Sequence, residues 1–367
     1  MILTINAGSS SVRLAAFART NTKFQRVADA SLTTDRGDAR EVLEEFCHLH
    51  DIQNVVAVSH RVVHGGALFE QSTVVDSRVE RAIEELASLA PLHNPRALRW
   101  LRAARLLFAP SIPQVAVFDT AYFVSLPPVA RHYALPSELA ERHAIQRYGF
   151  HGIAHRYLWH RYAELDPHAG PQTRLISLQL GSGCSITATL GGTAQDTSMG
   201  FSPLEGLVMA TRSGDMDPSI VTFLQRTENW DAEQMDDLLN HRSGLLGVSG
   251  ISNDMRELLE SDRPEARLAI ELFCYRARKY IGAYATVLGG VDAIAFGGGV
   301  GENAPAIRHK ILQGMEWLGI DVDKTANEHA RGSEARIHVS DSKVQLWVLP
   351  VEEAEILARE AWNVIAS

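Results

Sequence analysis

The sequence predicts an α/β protein with a duplicated core, and three observations carry that reading. Short β-branched or apolar runs recur along the chain and alternate with helical patterns. Two similar corners, "INAGSSSVRL" from Ile5 and "LQLGSGCSIT" from Leu178, each join an apolar run to a return strand through Gly and Ser, about 173 residues apart. A chain of 367 residues is also long for one core, so two domains are expected.

Taken in order, "ILTIN", "VVAVSH", "VAVFD", "LISLQL", "AIAFGG" and "LWVLP" read as strands, most of them ending at Gly, Asp, His or Asn. "DAREVLEEFCHLH" reads as a helix with Val42, Leu43, Phe46 and Leu49 on one face. Longer helical patterns cover 264–288 and 352–365, while 164–174 and the aperiodic 321–342 read as surface connections.

Composition narrows the function. A net charge of −9 argues against nucleic acid as the main partner. Cys47, Cys184 and Cys274 form no C-x-x-C pair, which suits a reducing compartment and offers no metal or disulfide framework. The start "MILTINAG" lacks a basic leader, and no apolar run is long enough to span a bilayer, so the expected location is the cytoplasm, away from membranes.

The corners suggest anion chemistry. Gly and Ser after a strand expose backbone N–H groups and hydroxyls, and Asn6 adds an amide able to bind a phosphate oxygen or a metal-bound water. There is no G-x-x-x-x-G-K-[ST]. Gly299, Gly301 and Ala304 in "FGGGVGENA", with Asp321 beyond, fit a dinucleotide fingerprint, but too little chain follows for that fold. A nucleotide-contacting loop before a helix that opens at Pro305 fits better. Arg61 in "SHRVVHGG" and Arg212 in "MATRSGDMDP" are placed as a carboxylate or phosphoryl group requires, although any single arginine is more often a surface ion pair. His60 with His64, and His151 with His155, have zinc-like H-x-x-x-H spacing, but Val62 and Val63 argue against a helix at the first pair. Asp119 ends "VAVFD" and Glu353 opens the last helix; either can help hold Mg²⁺.

Together the phrases "NAGSSS", "SHRVVHGG", "APLHNP", "VFDTA", "RYGFHGIAH", "TSMGFSPLEGLVMATRSGDMDP", "SGLLGVSGISNDMR" and "GGGVGEN" occur in order over nearly the whole chain and resemble the acetate kinase family, with its propionate and butyrate kinase relatives. The resemblance implies duplicated ribonuclease H-like (actin-like ATPase) domains with an interdomain active-site cleft: residues 1–122 plus about 355–367 as the first domain, 123–354 as the second. It implies reversible transfer of the ATP γ-phosphoryl to acetate or propionate, with Mg²⁺ (or Mn²⁺) as cofactor, ATP and ADP as co-substrates, and a homodimer.

By motif, Asn6 and Glu353 correspond to the magnesium site, and Asp119, His151, Arg212 and Arg61 to the catalytic set. Arg61, His93, Val63, Leu92, Phe150 and Pro203 correspond to the acid's site. Arg13, Gln179, Leu180, Gly181, Ser182, Gly183, Asp254, Met255, Arg256, Gly299, Val300, Gly301, Glu302 and Asn303 correspond to the nucleotide segments. The chain departs from the family pattern at Gln179, Ser182 and Cys184, where His, Asn and Ser are usual, and at Arg13, where Lys is usual. A propionate- or butyrate-preferring enzyme, a pyrophosphate-dependent one, and a weakly active nucleotide-binding relative are the alternatives.

Overall fold

The computed structural model of the chain describes residues 1–8, 11–20, 23–33, 37–90 and 93–366. Ser9 and Ser10 of the first corner, and Leu92 of the expected acid site, lie outside the described residues. Contacts divide the chain into two compact units, one of Met1–Val124, Phe150–Tyr157 and Glu352–Ser367, the other of Ser125–Gly149 and Leu158–Val351. The sequence reading gave 150–157 to the second half. Packing gives it to the first, because Ile153 is buried among Ile2, Val117 and Leu357.

Among its described residues the first unit holds one six-stranded sheet, β1 (Ile2–Ala7), β2 (Ser11–Thr20), β3 (Lys23–Thr33), β4 (Ala57–Val62), β5 (Thr73–Val74) and β6 (Gln114–Phe118), in the order β3-β2-β1-β4-β6-β5. The first three strands are antiparallel, β4 and β6 continue parallel to β1, and β5 is an antiparallel edge. All six residues of β1 are buried because both faces are covered. Leu3 and Ile5 pack under the helices Ala39–Leu49 and Asn94–Leu107. Ile2, Val115 and Val117 pack under the C-terminal helix Glu353–Ala366. Asp38 caps the helix Ala39–Leu49, accepting from the N–H groups of Arg40 and Glu41. Val42, Leu43 and Phe46 are buried as expected, but Leu49 sits at the frayed end and is 74% exposed.

The second unit repeats the plan among its described residues with β7 (Arg174–Leu180), β8 (Cys184–Leu190), β9 (Thr193–Thr197), β10 (Ala293–Gly297), β11 (Ala335–Arg336) and β12 (Gln345–Val348), in the order β11-β12-β10-β7-β8-β9. Strand for strand the two orders are the same. Again there is an antiparallel meander of three, two parallel strands, and a short antiparallel edge. Even the mid-strand irregularity recurs, at Ala16/Phe17 in β2 and Ala188/Thr189 in β8. This mixed order is not that of a dinucleotide fold. Residues 321–342 are more ordered than their aperiodic sequence suggested, because Asp323 caps the short helix Lys324–His329 and β11 pairs with β12. No helix of the described residues is long and apolar enough to cross a membrane.

One consequence of burial in β4 is measurable. His60 is 1% exposed; its Nε2 meets Gln114 Oε1 at 2.8 Å, and its Nδ1 has no hydrogen-bond partner among the described residues. Burial pushes its pKa down to about 4, and burial lowers that of His155 as well. The unfolded chain therefore binds more protons below pH 6.5, and stability is lost as pH falls toward 4. Chemical denaturation at pH 7.5 and pH 5 should differ by about 2 kcal/mol on account of His60 alone. His60→Gln should shrink the difference by that amount; an unchanged difference contradicts the assignment.

Candidate active site

In the first unit four chain segments converge on one guanidinium. Arg61 lies on β4 beside β6, and Asp119 directly follows β6. Arg61 Nε donates to both Asp119 oxygens at 3.1 and 3.2 Å, and Nη2 donates to Oδ2 at 2.7 Å. Arg61 Nη1 donates to Asn6 Oδ1 at 3.1 Å and reaches Glu353 Oε2 at 3.5 Å. Asn6, on β1, closes the ring by donating from Nδ2 to Glu353 Oε2 at 2.5 Å. The Asp119 side chain is fully buried and that of Arg61 is 12% exposed. Burial alone would weaken the Arg61 charge, but Asp119 and Glu353 outweigh it and hold its pKa above the ordinary value. Burial pushes the Asp119 carboxyl upward, against the pull of Arg61.

Asp119 also accepts the backbone N–H of His151. His151 is held at φ 57°, a left-handed conformation unusual for a side-chain-bearing residue. The helix Gly152–Leu165 begins at the next residue. Around this core, Val63 and Phe150 are buried, and the His64 and Phe150 rings meet edge to face at 5.3 Å. Asn94 exchanges hydrogen bonds with the His64 backbone at 3.2 and 3.0 Å, tying the segment of His93 to that of Val63. Arg13 is exposed and stands opposite Asn6 in the β1–β2 ladder. The oxygens of Asn6 and Glu353 are hard donors that suit Mg²⁺, an ion that takes few protein carboxylates and fills its shell with substrate phosphates and water. No group of three or more His, Cys, Asp or Glu forms a closed metal cage among the described residues.

The second unit holds the remaining candidates. At the β7–β8 corner the Gly181 N–H donates to Gly183 O at 3.1 Å. Cys184 turns inward, its Sγ donating to Gly181 O at 3.2 Å, and burial pushes the thiol pKa up to about 12. The thiol is therefore a structural pin, while Ser182 is exposed. Ser182 O accepts the Ala210 N–H at 3.0 Å, joining the corner to the loop of Arg212. Arg212 Nη1 donates to Pro203 O at 3.2 Å and lies 3.8 Å from Met209 Sδ; among the described residues no carboxylate pairs with it, and burial lowers its pKa. It is a partly buried cation without an anion.

β10 runs beside β7 with Gly297 opposite Gln179, which brings the "GGGVGEN" segment to the same corner. Glu302 is occupied internally, accepting from Gly298 N and Val351 N at 2.8 and 3.0 Å, and Asn303 donates to Gly299 O. Asp254 caps the helix Met255–Glu260 and is gripped by the Arg256 guanidinium. Leu180 and Met255 are buried as whole residues, so each supports the corner from beneath. Gln179 Oε1 is buried without a hydrogen-bond partner among the described residues. Sequence reasoning passed over Tyr133, Arg147 and Glu205, although "RYGFH" and "SPLEG" both lay inside the quoted motifs; their mutual contact appears only in three dimensions.

Two copies of one mixed sheet in the same strand order define the duplicated ribonuclease H-like, actin-like ATPase class of fold. Within that class the chain belongs to the Acetokinase family, whose model matches residues 37–359. It is 48% identical over 322 residues to an acetate kinase of Chloroherpeton thalassium, covering 86% of this chain and 77% of that one. It is 40% identical to that of Methanosarcina thermophila, covering 99% and 97%. Among solved structures it is similar to Porphyromonas gingivalis acetate kinase, with TM-score 0.89, 37% identity and 99% of both chains covered. It is also similar to a propionate kinase of Francisella tularensis, with TM-score 0.88, 36% identity and the same coverage.

A Cβ on Gly152 would overlap the Asp119 carbonyl oxygen and come within 2.7 Å of Tyr122 Cβ. Gly152→Ala should therefore cost about 1–3 kcal/mol of stability through overpacking. Urea denaturation checks this, and stability equal to the parent chain contradicts the packing described.

Proposed function

We propose that this chain catalyses the reversible, in-line transfer of the ATP γ-phosphoryl group to the carboxylate of acetate, or of propionate, giving an acyl phosphate and ADP. The observation that carries the proposal is the Arg61 ring, in which one guanidinium is fixed by Asp119, Asn6 and Glu353 from separate segments. Membership of the Acetokinase family supports the same reading.

A carboxylic acid is already ionised at neutral pH, so the acceptor needs no general base. One of its oxygens attacks phosphorus, the bond to the bridging oxygen breaks, and ADP leaves with the electron pair; no proton moves. The difficulty is bringing an anion to a polyanion. In our reading Arg61 binds the carboxylate, held at fixed orientation by its bidentate bond to Asp119. Arg212 receives the transferring phosphoryl group, which supplies the anion its own surroundings lack. His151 donates to the same oxygens in flight. Asp119 is then a positioning carboxylate rather than a base. Asn6 and Glu353 would hold Mg²⁺, which would supply neutralisation of the phosphate charge.

In our reading the buried Val63 and Phe150 set the small apolar side of the acid's site, with acetate preferred and propionate second, since one methylene discriminates by only about 1–3 kcal/mol. The two units are the duplicated domains of the class, and the enzyme acts in the cytoplasm as a homodimer.

Acyl-hydroxamate formation should appear with acetate and ATP and be absent with pyrophosphate; product with pyrophosphate alone contradicts the donor assignment. Arg212→Ala should lower kcat by about 100-fold or more with little change in Tm. An unchanged kcat removes Arg212 from the mechanism.

A further inference from the structure

Among the described residues one oxygen, Pro203 O, receives the Arg212 guanidinium, so whatever fixes Pro203 fixes the cation. Pro203 lies midway between two anchored residues. On one side the Phe201 N–H donates to Tyr133 Oη at 2.8 Å. On the other, the Glu205 carboxylate accepts the Tyr133 hydroxyl at Oε2 and the Arg147 guanidinium at Oε1, the latter at 2.7 Å. Arg147 spans the same segment, donating to Thr197 O at 2.9 Å and to Ala130 O at 3.1 Å, and its guanidinium stands 5.5 Å from the Tyr133 ring centroid. Gly200 O accepts the N–H groups of Tyr148 and Gly149 at 3.0 and 3.3 Å. A Cβ on Gly200 would fall on Glu205 Oε2 and Tyr133 Oη, so the contact requires glycine there. Beyond Glu205, the loop is closed by Gly206 and Asp215, which exchange bonds at 2.8 and 3.0 Å.

From this geometry we propose that Glu205, Tyr133 and Arg147 form a positioning clamp for the proposed transfer, fixing the Phe201–Glu205 backbone so that Pro203 O holds the Arg212 guanidinium in its working orientation. The proposal rests on the role given to Arg212 above. None of the three clamp residues touches a reacting atom. Tyr133 uses its hydroxyl as acceptor and donor at once, and burial together with the Glu205 carboxylate keeps that hydroxyl protonated. Glu205 is the keystone because it alone receives both other members. A carboxylate held at both oxygens has one orientation, and an amide in its place puts a donor NH₂ where one of the two acceptor oxygens stood.

The test is a mutant cycle of Glu205→Gln, Arg212→Ala and the double variant, with kcat, both KM values and Tm measured on the full chain. Glu205→Gln should lower kcat by roughly 10–100-fold, the scale of a small misplacement of a catalytic group. The KM values for acetate and ATP should stay within about threefold. In the Arg212→Ala background the same change should cost less than about threefold, because the residue it acts through is gone. Tyr133→Phe, which keeps the ring and removes only the hydroxyl, should follow Glu205→Gln and serves in its place if that variant does not fold. The clamp is overturned if the cost is equal in both backgrounds, or if both variants keep kcat within about twofold of the parent. If Arg212→Ala alone keeps the parental kcat, the clamp falls together with the role of Arg212; if Arg212→Ala is crippled and the clamp variants are not, only the clamp falls.

Discussion

The structure of the first unit depends on keeping one positive charge out of water. Arg61 is nearly buried, and an unpaired guanidinium there would cost several kcal/mol in desolvation. Asp119 offsets that cost with a bidentate ion pair, and Asn6 and Glu353 satisfy the remaining face. Each partner arrives on a different element: the end of a central strand, the turn after a neighbouring strand, and the first turn of the C-terminal helix. The sheet order and the docking of that helix are therefore coupled to the charge. Ser59 Oγ donating to Leu357 O at 2.8 Å, one turn beyond Glu353, fixes the register in which the helix presents its glutamate. Further along, Glu360 accepts from Ser72 and Arg156 at 2.6 Å each, so the same helix also steadies the segment that follows His151.

The duplicated corners have taken different routes. In the first, Asn6 precedes the glycine and its amide faces Glu353. In the second, Gln179 occupies the comparable strand end, with a buried acceptor that finds no donor among the described residues. The residues that depart from the family pattern separate by role. Cys184 has become an internal pin on Gly181 O, while Ser182 keeps its side chain outward and spends its carbonyl on the loop of Arg212. With the thiol engaged, backbone N–H groups and the Ser182 hydroxyl are the groups this corner has to offer an anion.

Much of this was legible in the sequence for physical reasons. Strands buried on both faces show as continuous apolar runs, and all the quoted runs became strands. The repeated Gly/Ser corner exposed the duplication because a tight corner restricts residue choice. Asn6, Arg61, Asp119 and Glu353 stood out because polar residues at the ends of apolar strands need a reason. What stayed hidden was pairing across the chain: the Asn6–Glu353 bond joins residues 347 positions apart, and no local pattern encodes it. The edge strand β11 was missed because two residues carry no periodicity, and Leu49 was misplaced because the last turn of a helix has no neighbour to bury it. Tyr133, Arg147 and Glu205 were not singled out in the sequence, because only their mutual contact around Gly200 gives them a role.

The central claim is that a guanidinium in fixed bidentate orientation, not positive charge alone, prepares the carboxylate for phosphoryl transfer. Arg61→Lys tests it most directly, because lysine keeps the charge but cannot hold Asp119 while also reaching Asn6. Steady-state kinetics with acetate, alongside Tm, should show kcat/KM reduced by about 100-fold or more in a chain that still folds. A lysine variant that keeps kcat/KM within about threefold of the parent would contradict the account.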